Sequence, residues 1–145
     1  MSTILENIQT KNSYGKRLHI KGASEIVKNC CSHYLDAEGN VQPMTDEMKG
    51  NLDNVIFKYA SRALRTIAVA YKDLSPNENG PEHDEPKDEE IKDVEKSGLT
   101  LICIFGIMDI VRMEVPDAVT TIQGAGVTVR MVTGDNIVTA KAIAV

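Results

Sequence analysis

Residues 127–145 restrict the fold more than any other stretch: Val-Thr-Val-Arg-Met-Val, then Thr-Gly-Asp-Asn, then Ile-Val-Thr-Ala-Lys-Ala-Ile-Ala-Val. Val127, Val129, Met131 and Val132 form a short, largely apolar run too brief for a helix, whereas the final residues have helical spacing. The order predicts a strand, a tight turn and a helix. At such a junction Gly134 lets the backbone come close to a ligand, and the unpaired N–H groups of a helix start favour an anion. The Thr133 hydroxyl adds a donor for phosphate oxygens, and Asp135 or Asn136 can cap the helix starting at Ile137. A plain capped helix in an α/β unit fits the same tetrapeptide, so spacing alone defines only a candidate phosphate site.

The preceding chain supplies the neighbours such a unit needs. Leu99–Met108 is an apolar run consistent with a strand buried on both faces. Residues 114–123 read as a helix with Pro116 tolerated in its first turn, Val115, Val119 and Ile122 facing inward, and Gly124-Ala125-Gly126 ending it. With residues 127–145 this predicts a β-α-β-α run, which argues for a parallel sheet with right-handed crossovers.

Upstream, residues 1–8 and 17–21 read as strands of a hairpin joined by a polar turn at 9–16. Residues 23–31 set Ala23, Ile26, Val27 and Cys30 at helical spacing, and 35–41 is a turn. The longest helix follows Thr45 as N-cap, with Asp46 and Glu47 in its first turn. Met48, Leu52, Val55, Ile56, Tyr59, Ala60 and Ala63 share its apolar stripe. Gly50 weakens that helix by roughly 1 kcal/mol relative to alanine, so packing must hold it. Residues 65–73 alternate as a strand with Ile67, Val69 and Tyr71 on one face.

The 145 residues are the length of one ordinary domain. The net charge of −5 belongs to residues 75–96, where nine Asp or Glu meet three Lys; the remainder is close to neutral. That segment has almost no apolar residue before Ile91 and is expected to be a mobile excursion. It lacks the ligand spacing and glycine of a helix–loop–helix calcium site. No basic stripe with interleaved aromatics supports nucleic-acid binding. Cys30, Cys31 and Cys103 show neither C-x-x-C spacing nor a His pair, which fits a reducing, cytosolic setting rather than a zinc site. The longest apolar run is about half of the roughly 20 residues a membrane helix needs, and the N-terminus has no signal-peptide pattern, so the chain reads as soluble.

Three stretches in order carry a family resemblance. Lys21-Gly22-Ala23-Ser24-Glu25-Ile26 is similar to the nucleotide-domain signature of P-type ATPases, and Ala63-Leu64-Arg65-Thr66-Ile67-Ala68-Val69-Ala70 to the later arginine-bearing strand of that domain. From Gly106 through Asp109, Arg112 and on to Thr133-Gly134-Asp135-Asn136, the chain resembles the phosphorylation domain, most closely that of calmodulin-regulated plasma-membrane calcium pumps. The resemblance implies an α/β fold in two parts. Residues 1–98 would be part of a nucleotide-binding domain, an antiparallel sheet with helices and the acidic insertion at 75–96. Residues 99–145 would open a phosphorylation domain, a partial Rossmann-like unit of haloacid dehalogenase type.

The same resemblance assigns roles. Lys21 and Gly22 lie at the nucleotide pocket, where an ammonium meets phosphate charge, and Arg65 brings a planar guanidinium suited to phosphate oxygens. Asp109 and Arg112 match an Asp-Pro-x-Arg hinge, although Ile110 and Met113 stand where prolines are usual, which removes rigidity. Thr133 and Gly134 would hold the transferred phosphoryl group and Asp135 would order the site. The adenine-stacking aromatic of the family and a neighbouring lysine would precede Met1. The phosphorylated aspartate of an Asp-Lys-Thr-Gly-Thr motif and the Gly-Asp-Gly-x-Asn-Asp segment of the magnesium site do not occur in the sequence.

The chain therefore reads as the cytosolic ATP-binding segment of an ATP-driven cation pump, with Ca2+ the expected ion, itself inactive. ATP and the remaining pump domains and membrane helices would be its partners, with Mg2+ a cofactor only of the full-length enzyme on the cytosolic face of a membrane. The alternative is a non-catalytic nucleotide-binding or regulatory module of the same fold. A small phosphatase of haloacid dehalogenase type ranks last, because an Asp-x-Asp motif is absent. Nucleotide is expected to bind through Lys21 and Arg65 independently of Thr133, and the 127–132 strand is expected to be poorly held.

Overall fold

The computed structural model describes residues 1–9, 14–74, 93–109 and 111–144. Strands β1 (Ser2–Gln9) and β2 (Tyr14–Ala23) form the expected antiparallel hairpin, and residues 10–13 of its turn lie outside the described residues. Helix α1 (Ser24–Cys30) follows directly and runs into β3 (Cys31–Leu35) and β4 (Val41–Pro43). Between them Asp36 Oδ1 accepts from Asn40 N at 2.7 Å and Glu38 N at 3.1 Å, which closes the predicted turn. Helix α2 (Asp46–Ala60) starts as read from sequence, with Thr45 Oγ1 accepting from Met48 N at 3.2 Å. Strand β5 (Leu64–Leu74), the short helix α3 (Asp93–Lys96), strand β6 (Leu99–Met108) and helices α4 (Val115–Gly124) and α5 (Ile137–Ile143) complete the chain. Of the expected mobile insertion, residues 75–92 lie outside the described residues, and its end is helical in α3.

The strands make one sheet in the order β1-β2-β5-β6-β3-β4. This is a mixed α/β fold, and it departs from the sequence reading at β6. The apolar run is a strand, but it pairs antiparallel with β5 and parallel with β3 instead of opening a second sheet, and only its first three residues are buried. Residues 127–132 form no strand. A strand persists only where a neighbour takes its N–H and C=O groups, and residues 127–132 are paired with no strand; β6 is taken by β5 from Thr100 to Met108 and by β3 at Leu99–Leu101 alone. The predicted β-α-β-α unit is thus reduced to β6, α4 and α5. α4 buries no side chain, and its Val115 and Ile122, expected to face inward, are exposed.

Helices α1 and α2 cover one face of the sheet. Alternation along β2 and β5 sends Leu18, Ala68, Ala70 and Leu74 to that side, where they meet Val27 of α1 and Leu99 and Leu101 of β6. Burying a side chain such as Leu18 contributes about 1.5–3 kcal/mol, and this cluster is where the fold is held. Ile26, expected on the same stripe as Val27, is instead exposed. Two glycines permit close packing: a Cβ on Gly22 would lie 3.3 Å from Val27 Cγ2, and one on Gly106 would lie 3.0 Å from Leu64 Cδ1 and 3.2 Å from Tyr59 Cδ2. Between the helices, buried Lys28 pairs with Asp53. The other face of the sheet is open, with Lys21, Ala23, Phe105 and Ile107 all exposed.

Candidate functional site

Arg65 owes its position to the chain reversal after α2. Ala63 takes φ 58°, in the left-handed region, and turns the chain into β5, so that Arg65 is the second residue of the strand. The antiparallel ladder sets Arg65 opposite Ile107, and Asp109 follows at the same end of the sheet. Arg65 Nη1 donates toward Asp109 Oδ2 at 3.5 Å and Arg65 Nε donates to Asp135 Oδ1 at 3.0 Å. The Thr133 hydroxyl donates to Asp135 Oδ2 at 3.0 Å and accepts from Asp135 N at 3.1 Å.

The next residue is held from two sides. Asn136 Oδ1 accepts from Val138 N at 2.8 Å, capping α5, while its Nδ2 donates to Glu25 Oε1 of α1 at 2.9 Å. Of the two caps the sequence allows, Asn136 is the one used. Thr139 and Ala140 of α5 are buried, which fixes the helix behind the turn. Arg65, Asp109, Glu25 and residues 134–136 thereby line a cleft of about 570 Å3, floored by Ile67 and Ile107. The Arg65 side chain is 49% exposed and that of Asp135 23%. Ion pairs so open to water contribute about 0–1 kcal/mol each, and one guanidinium faces the three carboxylates of Glu25, Asp109 and Asp135 in the cleft lining.

The structure brings Arg65, Asp109, Thr133, Gly134 and Asp135 together. It does not add Lys21, Gly22 or Arg112. Lys21 sits on β2 opposite Val69, four residues along β5 from Arg65, or about 13 Å. Lys21 and Gly22 line a separate groove of about 220 Å3 beside α1, and Gly22 is explained by its contact with Val27. Arg112 is exposed, and its carbonyl accepts from Val115 N at 3.0 Å at the start of α4. Sequence reasoning misses Glu25, although it lies within the Lys21–Ile26 stretch. Its partner is 111 positions away, and only that stretch's membership of a signature could have marked it. Among the described residues no group of three or more His, Cys, Asp or Glu side chains could hold a metal ion, and no helix is long and apolar enough to cross a membrane.

Comparison with known families gives the class to which this sheet and cleft belong. The family described as P-type ATPase, cytoplasmic domain N, matches residues 1–114, and the chain belongs to it. Among individual relatives, it is 48% identical over 132 residues to the probable calcium-transporting ATPase 8, plasma membrane-type, of Oryza sativa subsp. japonica, covering 88% of this chain and 12% of the relative. It is 46% identical to calcium-transporting ATPase 4, plasma membrane-type, of Arabidopsis thaliana, covering 90% of this chain and 12% of that protein. It is 45% identical over 145 residues to the human plasma membrane calcium-transporting ATPase 1, covering 99% of this chain and 11% of that protein. The chain thus spans only about an eighth of the length of the relatives it matches.

Proposed function

We propose that this chain is the cytosolic ATP-binding segment of an ATP-driven cation pump, one that transports Ca2+ and forms an aspartyl phosphate in the full-length enzyme. Membership of the P-type ATPase family and the names of the calcium-transporting relatives support the reading. The observation that carries it is the meeting of Arg65 with the 133–136 turn at the mouth of the cleft. A guanidinium with its donors fixed in a fork matches phosphate oxygens, and Thr133 and the backbone of Gly134 add neutral donors beside it. Asp135 orients both groups when no phosphate is present. Lys21, at the other end of the open sheet face, would meet the far end of a nucleotide lying along β5.

The two-part division belongs to the same proposal, with β6 falling to the nucleotide-domain part. In the assembled pump, residues 127–132 would gain the neighbouring strands they lack here and complete a Rossmann-like parallel sheet. Mg2+ belongs to this reading as a cofactor of the full-length enzyme, with its protein ligands supplied from outside the chain. The nucleophilic carboxylate of phosphoryl transfer would come from outside the chain.

Isothermal titration of ATP into wild type, Arg65→Ala and Lys21→Ala tests the reading. Wild type is expected to bind in about the millimolar range, and Arg65→Ala to bind several-fold more weakly. Binding that neither substitution alters would contradict it. Phosphate release above a mock-purified control that disappears in Thr133→Ala would show that the chain is itself catalytic.

A further inference from the structure

Among the described residues, no strand holds the 133–136 turn from its N-terminal side: residues 127–132 pair with none, and Val132 is 95% exposed. The position of the turn therefore rests on buried Thr139 and Ala140 of α5 behind it and on two side-chain tethers across the cleft. Asp135 Oδ1 accepts from Arg65 Nε of β5 at 3.0 Å, and Asn136 Nδ2 donates to Glu25 Oε1 of α1 at 2.9 Å. The first tether uses a donor that phosphate also needs. A phosphate oxygen that takes the Arg65 Nε–H releases Asp135, because that nitrogen carries a single hydrogen. The second tether uses no group assigned to phosphate. Glu25 is half-buried on a helix whose Ser24, Val27 and Lys28 are buried, so it offers a fixed point. A carboxylate in the lining of a phosphate cleft repels the ligand, and the bond it makes is what accounts for it there. Because a carboxylate only accepts, it fixes the Asn136 amide with Nδ2 toward α1 and Oδ1 toward Val138 N, the orientation that caps α5.

We propose that Glu25 is a positioning residue: through Asn136 it keeps the 133–136 turn at the mouth of the cleft when phosphate takes Arg65 from Asp135. This rests on the reading of the cleft as a phosphate site. Without the tether the ligand must order the turn as it binds, and affinity falls by the cost of that ordering. The functional element is the bond and not the charge.

Two uncharged replacements separate bond from charge. Glu25→Gln keeps an oxygen that accepts from Asn136 Nδ2, whereas Glu25→Ala keeps none. Inorganic tripolyphosphate, which has no base, reports by calorimetry on the phosphate contacts alone. Glu25→Gln is expected to bind it at least as tightly as wild type, and Glu25→Ala roughly threefold more weakly than Glu25→Gln. Amide spectra of the unliganded chain should show residues 134–138 displaced in Glu25→Ala and close to wild type in Glu25→Gln. Asn136→Ser keeps a hydroxyl to cap α5 but loses the amide donor, so in that background the two Glu25 variants should bind alike. Equal binding by Glu25→Gln and Glu25→Ala with Asn136 in place overturns the positioning role while the phosphate site stands. A difference that persists with Asn136→Ser overturns it as well, since Glu25 then acts through another group. Failure of wild type to bind either ATP or tripolyphosphate overturns both readings.

Discussion

The Arg65 guanidinium meets the Asp135 carboxylate at 3.0 Å across 70 positions of sequence, and Thr133 donates to the other oxygen of the same carboxylate. The two donors assigned to phosphate are therefore turned toward one internal anion. Arg65 and Thr133 are parts of one network, where the sequence reading separates them. Asp135→Asn weakens the internal anion and should raise the affinity for tripolyphosphate by up to about fivefold, since each exposed pair contributes about 0–1 kcal/mol. In a double-mutant cycle, the effects of Arg65→Ala and Thr133→Ala on that affinity should be non-additive. Strict additivity, or weaker binding in Asp135→Asn, would separate the two residues again.

Ser24 is fully buried at the start of α1, and its hydroxyl finds no partner among the described residues. A desolvated hydroxyl without a hydrogen bond costs about 1–3 kcal/mol, so Ser24→Ala should leave the fold as stable or raise its stability by about 1 kcal/mol. Urea denaturation measures this directly, and a clear loss of stability would mean that the hydroxyl is satisfied.

Lys28 is 6% exposed and pairs with Asp53 across α1 and α2. Asp53→Ala strands a buried ammonium, which should cost about 1–2 kcal/mol once the exposure of the carboxylate is allowed for. Lys28→Met removes the charge together with its need for a partner and should cost less. Equal losses for the two variants would show that shape rather than charge holds the helices together.

Cys31 is 4% exposed, and its thiol donates to Val27 O at 3.1 Å. Burial, with a smaller push from Cys30, raises its pKa to about 12. The folded pKa lies above that of an unfolded thiol, so the stability it contributes is complete below about pH 8.5 and is lost as pH rises toward 12. Cys31→Ser should flatten the fall in melting temperature above pH 9, roughly the start of that window. At neutral pH the Cys31 thiol should react with a disulfide reagent only on unfolding. Fast labelling of native Cys31 would contradict its burial.

What the sequence made legible follows the range of the interactions. Thr45 and Asn136 cap their helices through partners two or three residues away, and both are readable from local chemistry. The apolar run at Leu99–Met108 announces a strand but cannot say which strand it joins, since hydrophobicity specifies burial and not a partner. Residues 127–132 carry a strand pattern but pair with no other strand of the described residues. The short strands Cys31–Leu35 and Val41–Pro43 have no clear alternation, so only their pairing reveals them. Arg65 and Lys21 were both marked by residue type and signature, but the register that puts only Arg65 at the cleft is a long-range property.

The most direct test of phosphate recognition at the Arg65 cleft is an amide chemical-shift map of the isotope-labelled chain titrated with ATP. The largest shifts are expected at Arg65, Asp109 and residues 134–136, reduced together in Arg65→Ala. Shifts confined to Lys21, Gly22 and α1, with residues 134–136 unmoved, would place the phosphates in the other groove and contradict the assignment.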